Sequence, residues 1–372
     1  MWCYNRLMMR ILLFSVLFLI GCDNSFNDSN KKNYSATEFE PHWIPYYPTS
    51  IDKPNANEFT IVAFPDTQSY HDNNNGQGYI LAAQIDWVID NLSSQNIRHI
   101  THVGDMTEDN LIEEWEWFNK QWSRFDGLIS YGLSIGNHDY KMRDENDKWI
   151  DSLEDASLFQ SYFPASRFQN LSWYGGTFKN NTASFQYVDT GFPDIKILSI
   201  NLQCTPKDDE LKWANNVISN HPDYRIMITT HQYLGPIDFP KEKSNISKIP
   251  KGRMNWNKCN GKKGNSPEEI FHKLIRKHPN IFLVVSGDQR HTESFVQTSS
   301  GNAGNIVHEI MNDIRSGFIR ILRFNVVTDE IKAILYTNLP ELNTCNKNNK
   351  DNISRGCLTD EAHSNFILKG WK

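Results

Sequence analysis

Residues of the types that bind metal ions occur in five segments of the chain, each directly after a short apolar run. The segments are 64–68, 103–105, 135–139, 229–231 and 286–291, and they hold Asp, Asn, Gln and His. Carboxylate, amide and imidazole groups together form the oxygen and nitrogen sites that hard and borderline metals prefer. One segment alone says little, because Gly-Asp pairs are common in turns and a His after a strand is often an ordinary, partly buried residue. The five together predict a metal centre.

The apolar runs predict the elements that position these residues. The run at 59–64 is short and rich in β-branched residues, which indicates a buried strand. Leu81, Ile85, Val88 and Leu92 then recur at spacings of four, three and four, as on one face of an amphipathic helix. Further strands are predicted at 97–103, 131–135, 183–188, 195–200, 225–230 and 281–285, further helices at 111–122, 208–219 and from 266, and a closing hairpin at 317–324 and 331–336.

The alternation of strands and helices, with strand pairs toward the end, predicts the fold class. It indicates an α/β protein built as a two-sheet α/β sandwich with flanking helices. In open α/β sheets the carboxyl ends of the strands meet at a crevice where ligands bind. Because the five segments all follow predicted strands, we expect their side chains to converge there.

In this order, the segments resemble the motifs of the calcineurin-like metallophosphoesterase superfamily over residues 58–337. The family pattern is Asp-x-His, Gly-Asp, Gly-Asn-His-Asp/Glu, a lone His, and Gly-His-x-His. The segment 136–139, Gly-Asn-His-Asp, matches the third motif in full, Gly104-Asp105 matches the second, and His231 matches the fourth. The resemblance implies a two-sheet sandwich of the metallophosphoesterase type and a phosphoric ester hydrolase.

Two motifs depart from the family pattern. Asp66-Thr67-Gln68 has Gln where the family usually has His, and it is similar to a bacterial subgroup whose first motif is Asp-Thr-Gln. The fifth segment, 287–291, has Asp288 in place of the first His, and His291 comes one residue late. Gly-Asp-x-His occurs in related alkaline phosphatases, so the resemblance makes Asp288 a candidate ligand. If the spacing is strict, Arg290 takes the position of the second His and one ligand is lost.

Carried over residue by residue, the resemblance implies a centre of two divalent metal ions. Metal 1 is expected on Asp66, Gln68, Asp105 and His291, and metal 2 on Asp105 (bridging), Asn137, His231 and Asp288. Two such ions clamp phosphate oxygens and activate a water, so the expected substrate is a small anionic phosphoester, either a monoester or a diester. An amide and a carboxylate in place of two imidazoles favour Mn, Mg or Fe, and Zn stays possible.

The resemblance gives catalytic roles to His138 and Asp139. His138 would stabilise developing charge or protonate the leaving oxygen, and Asp139 would orient its imidazole through the other ring nitrogen. A helix cap or turn aspartate is the alternative for Asp139. The alternative for the whole chain is a degenerate, non-catalytic, lipid-anchored binding or structural protein that keeps the fold. Gln68 and the irregular fifth motif are the features that favour it.

The N-terminal residues predict a targeting segment. Two arginines precede an apolar run at 11–20, which is too short for a stable membrane-spanning helix and suits a signal peptide. The run ends in Leu-Ile-Gly-Cys22, which resembles the bacterial lipobox, with an ordinary signal peptide as the alternative. We therefore expect a signal peptide at 1–21, acylation of Cys22, and a tether and extended lead-in at 22–57. The acyl chains would anchor the protein to a membrane of the bacterial cell envelope, facing the periplasm or the exterior.

Length and charge limit the remaining possibilities. Without the targeting segment, about 350 residues remain, with 36 basic and 44 acidic side chains and a net charge of −8. This balance argues against nucleic acid as a general partner. We expect one metallophosphoesterase domain at 58–340, because no long linker divides it, and a C-terminal extension at 341–372. The oligomeric state stays open.

Four cysteines remain once Cys3 and Cys22 are assigned to the signal peptide and the anchor. An even number in an oxidising compartment predicts two disulfides. We favour Cys345–Cys357, which closes a short polar loop, and this choice leaves Cys204–Cys259. Free buried thiols are the alternative.

The basic segment, residues 238–265, has no apolar periodicity and no strand signal. Its eight lysines and arginines against two acidic residues give it a net charge of +6. Because it follows His231, it should border the metal site, and Cys259 within it could pin it to Cys204. We interpret it as a cationic lid that attracts anionic substrates, with a solvated loop as the alternative.

Overall fold

The computed structural model describes residues 42–44, 50–71, 78–236, 251–289, 295–314, 317–339 and 364–372. The helices in these ranges are α1 (Tyr79–Asp90), α2 (Ile112–Trp122), α3 (Ser157–Tyr162), α4 (Asp208–Ser219) and α5 (Pro267–Lys273). The strands are β1 (His42–Ile44), β2 (Glu58–Phe64), β3 (Ile97–His102), β4 (Tyr131–Leu133), β5 (Tyr174–Phe178), β6 (Ala183–Val188), β7 (Ile197–Asn201), β8 (Arg225–Thr229), β9 (Leu234–Pro236), β10 (Lys251–Arg253), β11 (Ile281–Ser286), β12 (Val296–Ser300), β13 (Ile306–Met311), β14 (Ile319–Asn325), β15 (Glu330–Tyr336) and β16 (Asn365–Lys369).

The first sheet has the strand order β1-β16-β15-β14-β2-β3-β4. β2, β3 and β4 run parallel to one another, and β14 joins β2 in antiparallel orientation. Almost every residue of β2 and β3 is buried, as expected for parallel strands that are covered on both faces of the sheet. The carboxyl ends of β2, β3 and β4 therefore lie at the same edge of this sheet.

The second sheet has the strand order β12-β13-β11-β8-β7-β6-β5. Its four central strands, β13, β11, β8 and β7, are parallel. The outer strands β12, β6 and β5 pair in antiparallel orientation. This arrangement places the carboxyl ends of β8 and β11 next to each other.

The two sheets pack on each other through one apolar layer. Phe59 and Leu322 from the first sheet and Met227 and Phe282 from the second are fully buried in it. Helices α1 and α2 pack on the other face of the first sheet, and α4 and α5 on the other face of the second. The predicted two-sheet α/β sandwich with flanking helices is confirmed.

Helices α1, α2, α4 and α5 form where the sequence pattern predicts them, whereas α3 was not predicted. In α1, Leu81, Ile85 and Val88 of the predicted stripe are buried. Helix α5 begins with a capping box, in which the Ser266 hydroxyl accepts a hydrogen bond from the Glu269 amide and Glu269 accepts one from the Ser266 amide. These two reciprocal bonds satisfy amides that the first turn of a helix leaves unpaired.

Both predicted domain boundaries exclude strands that belong to the first sheet. β16, from the predicted C-terminal extension, pairs with β15 and with β1, which comes from the predicted lead-in. Phe366, Leu368 and Trp371 are fully buried in the layer between the sheets. The boundary at 340 is therefore wrong for residues 364–372, because these residues supply part of the domain core.

The second half of the basic segment is folded, contrary to the prediction that it lacks strands. β10 pairs with β9 directly after His231, and Arg253 at its end is only 6% exposed. Charged residues at both ends of β10 conceal the strand in the sequence. The structure also contains the disulfide Cys204–Cys259, which confirms that predicted pair.

Several predicted features lie outside the described residues. They are the signal peptide at 1–21, the acylated Cys22, the ligand His291, the pair Cys345–Cys357 and the first half of the basic segment. Among the helices that the structure does describe, none has the length and apolar character needed to cross a membrane.

Candidate metal centre

Three parallel strands of the first sheet and two parallel strands of the second deliver the predicted metal-binding segments to one place. Asp66 and Gln68 follow β2, Asp105 follows β3, Asn137 and His138 follow β4, His231 follows β8, and Asp288 follows β11. Strands that run in the same direction end on the same side of a sheet, so the side chains that come after them can meet. The contacts below show that these segments do meet, across both sheets.

Asp66, Asp105 and His231 form the middle of the site. Each offers one ligand atom, and these atoms all lie within 4.8 Å of one another. The three side chains are buried. Two carboxylates and an imidazole gathered at this spacing are a donor set that suits a divalent cation.

Asp105 is bonded to three of the other segments. Its Oδ1 accepts a hydrogen bond from the His138 backbone amide at 2.9 Å and lies 3.2 Å from Nε2 of His231. Its Oδ2 accepts a hydrogen bond from Nε2 of Gln68 at 3.1 Å. Burial alone would raise the pKa of Asp105, but the imidazoles of His231 and His138 and the bonds that they make lower it below its usual range. Asp105 is therefore ionised.

His231 presents one nitrogen to the acidic groups. Its Nδ1 lies 2.9 Å from the carbonyl oxygen of Val103. A carbonyl can only accept, so Nδ1 carries the hydrogen and Nε2 is the nitrogen left for a ligand. Nε2 lies 3.1 Å from Oδ1 of Asn137 and 3.5 Å from Oδ1 of Asp288. Burial would lower the pKa of His231, but the surrounding carboxylates raise it well above its usual value. The same carboxylates would stabilise a metal cation bound to Nε2.

Asp288 lies beside the same nitrogen and is tied to the first segment. Its backbone amide donates to Oδ2 of Asp66 at 3.1 Å. Its Oδ1 forms an ion pair with Nζ of Lys258, and its Oδ2 accepts a hydrogen bond from Nε2 of Gln289. Burial would raise the pKa of Asp288, but Lys258 and His231 hold it well below its usual range. The Asp288 carboxylate is therefore ionised.

Gln68 provides a direct indication that this site fits a metal ion. Its side chain is 2% exposed, and its Nε2 donates to Asp105. Its Oε1 is buried and has no hydrogen-bond donor in the part of the chain that the structure describes. A buried amide oxygen without a partner costs free energy, and oxygen ligands of this kind suit Mg and Mn.

Backbone geometry allows the segments to approach this closely. Gly104 has a φ of 105°, and a Cβ there would lie 2.7 Å from Nδ1 of His231. A Cβ on Gly136 would lie 2.1 Å from Oδ1 of Asp105. Asp105 and Asp288 have φ values of 55° and 73°, in the left-handed region that residues other than glycine seldom adopt. Such conformations concentrate at functional sites, where the surrounding structure maintains them.

The structure corrects the role predicted for Asp139. Its fully buried carboxylate accepts hydrogen bonds from the backbone amides of Gly136 and Met106, both at 2.8 Å, and of Thr107 at 3.0 Å. The prediction that Asp139 orients the imidazole of His138 is wrong, because its oxygens face these amides. Burial, and then the charge of Asp105, raise the pKa of Asp139 to about 6. The alternative of a turn aspartate is the better description, since Asp139 joins the second segment to the third.

Glu108, which the sequence did not reveal, orients His138. Nδ1 of His138 donates to the Glu108 backbone carbonyl at 2.6 Å, and the Glu108 carboxylate lies 3.8 Å from the same nitrogen. Nε2 is then the nitrogen left to act on a substrate. Burial would lower the pKa of His138, but Asp105 and Glu108 raise it above the usual value, which favours the protonated ring. No sequence signal points to a backbone carbonyl, because every residue has one.

Comparison with known proteins finds similarity at low identity. No protein-family model matches the chain. The uncharacterized protein YvnB of Bacillus subtilis (strain 168) is 25% identical over 291 residues, which are 75% of this chain and 20% of that protein. The chain thus spans about a fifth of the length of this relative.

Solved structures with some similarity include three enzymes. The purple acid phosphatase PPD1 from yellow lupin seeds has a TM-score of 0.49 at 11% identity and covers 87% of this chain and 55% of its own. The 5'-nucleotidase precursor of Thermus thermophilus has a TM-score of 0.39 at 12% identity and covers 77% of this chain and 55% of its own. The NAD nucleotidase of Haemophilus influenzae has a TM-score of 0.38 at 14% identity, over 72% and 48%. Similarity at this level assigns neither a family nor an activity.

Proposed function

We propose that the chain is a metal-dependent phosphoesterase that hydrolyses phosphate monoesters or diesters at a centre of two divalent metal ions. The observation that carries the proposal is the buried group of Asp66, Asp105 and His231, whose ligand atoms lie within 4.8 Å of one another. The motifs that contain these residues resemble those of the metallophosphoesterase superfamily. Among the described residues Oε1 of Gln68 has no hydrogen-bond donor, and this supports a metal at the same place.

The proposed ligands are those implied by the motifs. Metal 1 would bind to Asp66, Gln68, Asp105 and His291, and metal 2 to Asp105, Asn137, His231 and Asp288. When bound, ions such as Mn, Mg, Fe or Zn supply Lewis acidity and an activated water. The ionised carboxylates support this assignment, and because Nδ1 of His231 donates to the Val103 carbonyl, Nε2 is the atom at which a metal would replace a proton.

The other residues of the site position the substrate and move a proton. His138, held at Nδ1 by Glu108, would donate a proton from Nε2 to the oxygen that leaves phosphorus. Asp139 would keep the second and third segments together, so that Asp105 and His138 hold their relative position. The degenerate, non-catalytic alternative is not favoured, because the site keeps a correctly held proton donor.

Metal analysis and a hydrolysis assay test the proposal. The purified mature chain, loaded separately with Mn, Mg, Fe or Zn, should bind about two metal ions and hydrolyse 4-nitrophenyl phosphate or bis(4-nitrophenyl) phosphate. Fewer than one bound metal per chain, together with no turnover under any of the four ions, would falsify the enzyme assignment. Metal binding without turnover would instead favour the non-catalytic alternative.

We also propose that Cys22 carries a lipid anchor that holds the protein in the bacterial cell envelope. The lipobox-like residues before Cys22 and the polar tether after it support this proposal. The chain, expressed with radiolabelled palmitate, should incorporate label and sediment with membranes. Cys22→Ser should lose both properties, and an unlabelled wild-type chain would exclude acylation.

A further inference from the structure

Lys258 brings one positive charge of the basic segment to the candidate metal centre. Its Nζ forms an ion pair with Oδ1 of Asp288, the oxygen that lies 3.5 Å from Nε2 of His231. A single oxygen atom thus separates the ammonium group from the ligand nitrogen of His231. The side chain of Asp288 is 1% exposed, whereas that of Lys258 is 30% exposed. The Lys258 side chain is therefore partly exposed, whereas the carboxylate that its ammonium group contacts is buried.

The backbone at Lys258 is fixed to two segments of the centre. The Lys258 amide donates to Oε1 of Gln232, the residue after His231, at 2.9 Å. The next residue, Cys259, forms the disulfide with Cys204. The Cys204 amide in turn donates to the carbonyl of Ile135 at 2.7 Å, at the start of the third segment. These bonds therefore fix the position of the Lys258 backbone relative to the site.

Hydrogen bonds around the disulfide reinforce this position. The Cys259 amide donates to Oγ1 of Thr205 at 3.2 Å. Nδ2 of Asn260 donates to the carbonyls of Thr205 at 3.0 Å and Cys204 at 3.3 Å. All four residues, including Cys204, are buried. A long, flexible lysine side chain thus extends from a rigid base.

Lys258 carries its charge under physiological conditions. Its Nζ is in ion-pair contact with the Asp288 carboxylate, and this contact favours the charged ammonium form of a lysine. An ammonium group has three N–H donors, and one carboxylate oxygen accepts one of them. A pair kept only for stability gains little, because removing both charges from water is costly. A partly exposed cation beside the proposed metal ligands is better explained by an anionic ligand.

We propose that Lys258 binds the phosphate group of the substrate and makes the enzyme prefer dianionic phosphomonoesters, with the Cys204–Cys259 disulfide holding it in place. This inference rests on the proposed function, since it concerns the same site. A monoester carries close to two negative charges at neutral pH and a diester only one. A single ammonium group beside the metal ions therefore favours the monoester.

Three variants of the metal-loaded mature chain test this role. Lys258→Ala should raise KM for 4-nitrophenyl phosphate and weaken the binding of inorganic phosphate, measured by calorimetry, by about 10-fold to 100-fold. The effect on bis(4-nitrophenyl) phosphate should be smaller, and the metal content should not change. Lys258→Arg should recover part of the loss because the charge is retained. Lys262→Ala is the matched control, since Lys262 is an exposed lysine of the same segment.

The role of the disulfide is tested in the wild-type chain and in Lys258→Ala. Cys204→Ser with Cys259→Ser should weaken phosphate binding in the wild-type chain and have little further effect in Lys258→Ala, because the lysine is then already absent. Thermal unfolding of each variant shows whether the fold is retained. If removing both cysteines weakened phosphate binding as much in Lys258→Ala as in the wild-type chain, the role given to the disulfide would be overturned.

Two further results would overturn the role of Lys258 itself. One is unchanged phosphate affinity in Lys258→Ala, and the other is loss of metal from that variant, which would make Lys258 a support for Asp288. Failure of the proposed function looks different, since the wild-type chain would then bind phosphate without turnover, or lack metal. A wild-type chain that binds metal but no phosphate would overturn the inference as well.

Discussion

Two buried clusters of charged residues in this protein have opposite designs. In the first, which we call the arginine cluster, Nη1 of Arg253 donates to both carboxylate oxygens of Glu309 at 2.9 and 3.0 Å, and its Nε donates to Glu268 at 2.9 Å. The guanidinium group also lies 3.7 Å from the centre of the Phe271 ring. In this cluster the positive charge of Arg253 neutralises the carboxylates that it contacts.

The candidate metal centre gathers carboxylates around one another instead. An oxygen of Asp66, an oxygen of Asp105 and a ring nitrogen of His231 lie within 4.8 Å of one another, and the backbone amides of Asp288 and His138 donate to the two carboxylates. Lys258 reaches only Asp288 among the contacts described. The difference teaches that a buried carboxylate is not in itself a sign of a ligand site. What distinguishes the metal centre is that its negative charges converge on one point.

The largest effect that would separate the clusters is expected from Asp105→Asn. The bridging carboxylate contributes charge to both proposed metals, so hydrolysis should fall by more than about 10³-fold, which corresponds to about 4 kcal/mol. Metal content, measured by inductively coupled plasma mass spectrometry, should fall below two ions per chain. Glu309→Gln is the matched control from the arginine cluster, and it should keep both metals. Full metal occupancy in Asp105→Asn would show that the Asp105 carboxylate does not bridge the two metal ions.

The converse change is Arg253→Met, which should affect stability and leave the metal centre intact. Arg253 and Glu309 are 6% and 0% exposed, so losing the arginine leaves a buried carboxylate without its partner. We expect the free energy of unfolding to fall by about 3–4 kcal/mol, measured by urea denaturation. The double variant Arg253→Met with Glu309→Leu should regain much of this loss. Loss of metal from the single variant would show that the two clusters are coupled.

A smaller effect is expected from His138→Gln. This residue sits at the metal centre but is not a proposed ligand, so metal content should stay unchanged while kcat falls about 10²-fold. The fall should be largest for esters with poor leaving groups, because these depend most on protonation of the leaving oxygen. An equal fall for alkyl and aryl phosphates would argue against a role as proton donor.

The sequence could predict which residues meet at the candidate metal centre, because the proposed ligands follow strands. His231 comes just after β8 and Asp105 a short turn after β3, and the parallel strands of each sheet then determine where these residues lie. The role of Asp139 could not be predicted, since its partners are backbone amides that every residue type supplies. Lys258 was counted only as part of a charged segment. It reaches the site through a disulfide that joins residues 55 positions apart.

The fold shows the same distinction between local and distant signals. Strands and helices with a clear period were predicted within a few residues. β16 was not, because its partners β15 and β1 are separated from it along the chain, and period alone does not identify pairing partners. β10 was missed because charged residues form it. Local patterns thus predicted the strands that precede the candidate site, whereas α3 and the strands β5, β12 and β13 of the second sheet were not predicted.

The smallest expected effect concerns His308, the residue before Glu309 in β13. Burial lowers the pKa of His308 to about 4, and its ring nitrogen Nε2 lies 2.9 Å from the carbonyl of Lys369. The unfolded chain binds a proton near the usual value of 6.5, so the unfolded state gains protons first as the pH falls. The stability that His308 contributes is therefore present above pH 6.5 and is lost progressively toward pH 4.

This dependence can be measured in the Asp105→Asn background, where the release of bound metal contributes less to the acid response. Between pH 7 and pH 5, the free energy of unfolding should fall by about 1–2 kcal/mol on account of this residue. His308→Gln should flatten that part of the curve, since glutamine does not titrate but can still donate to the Lys369 carbonyl. If the pH profiles of Asp105→Asn with and without His308→Gln were identical, the acid sensitivity would arise from groups other than His308.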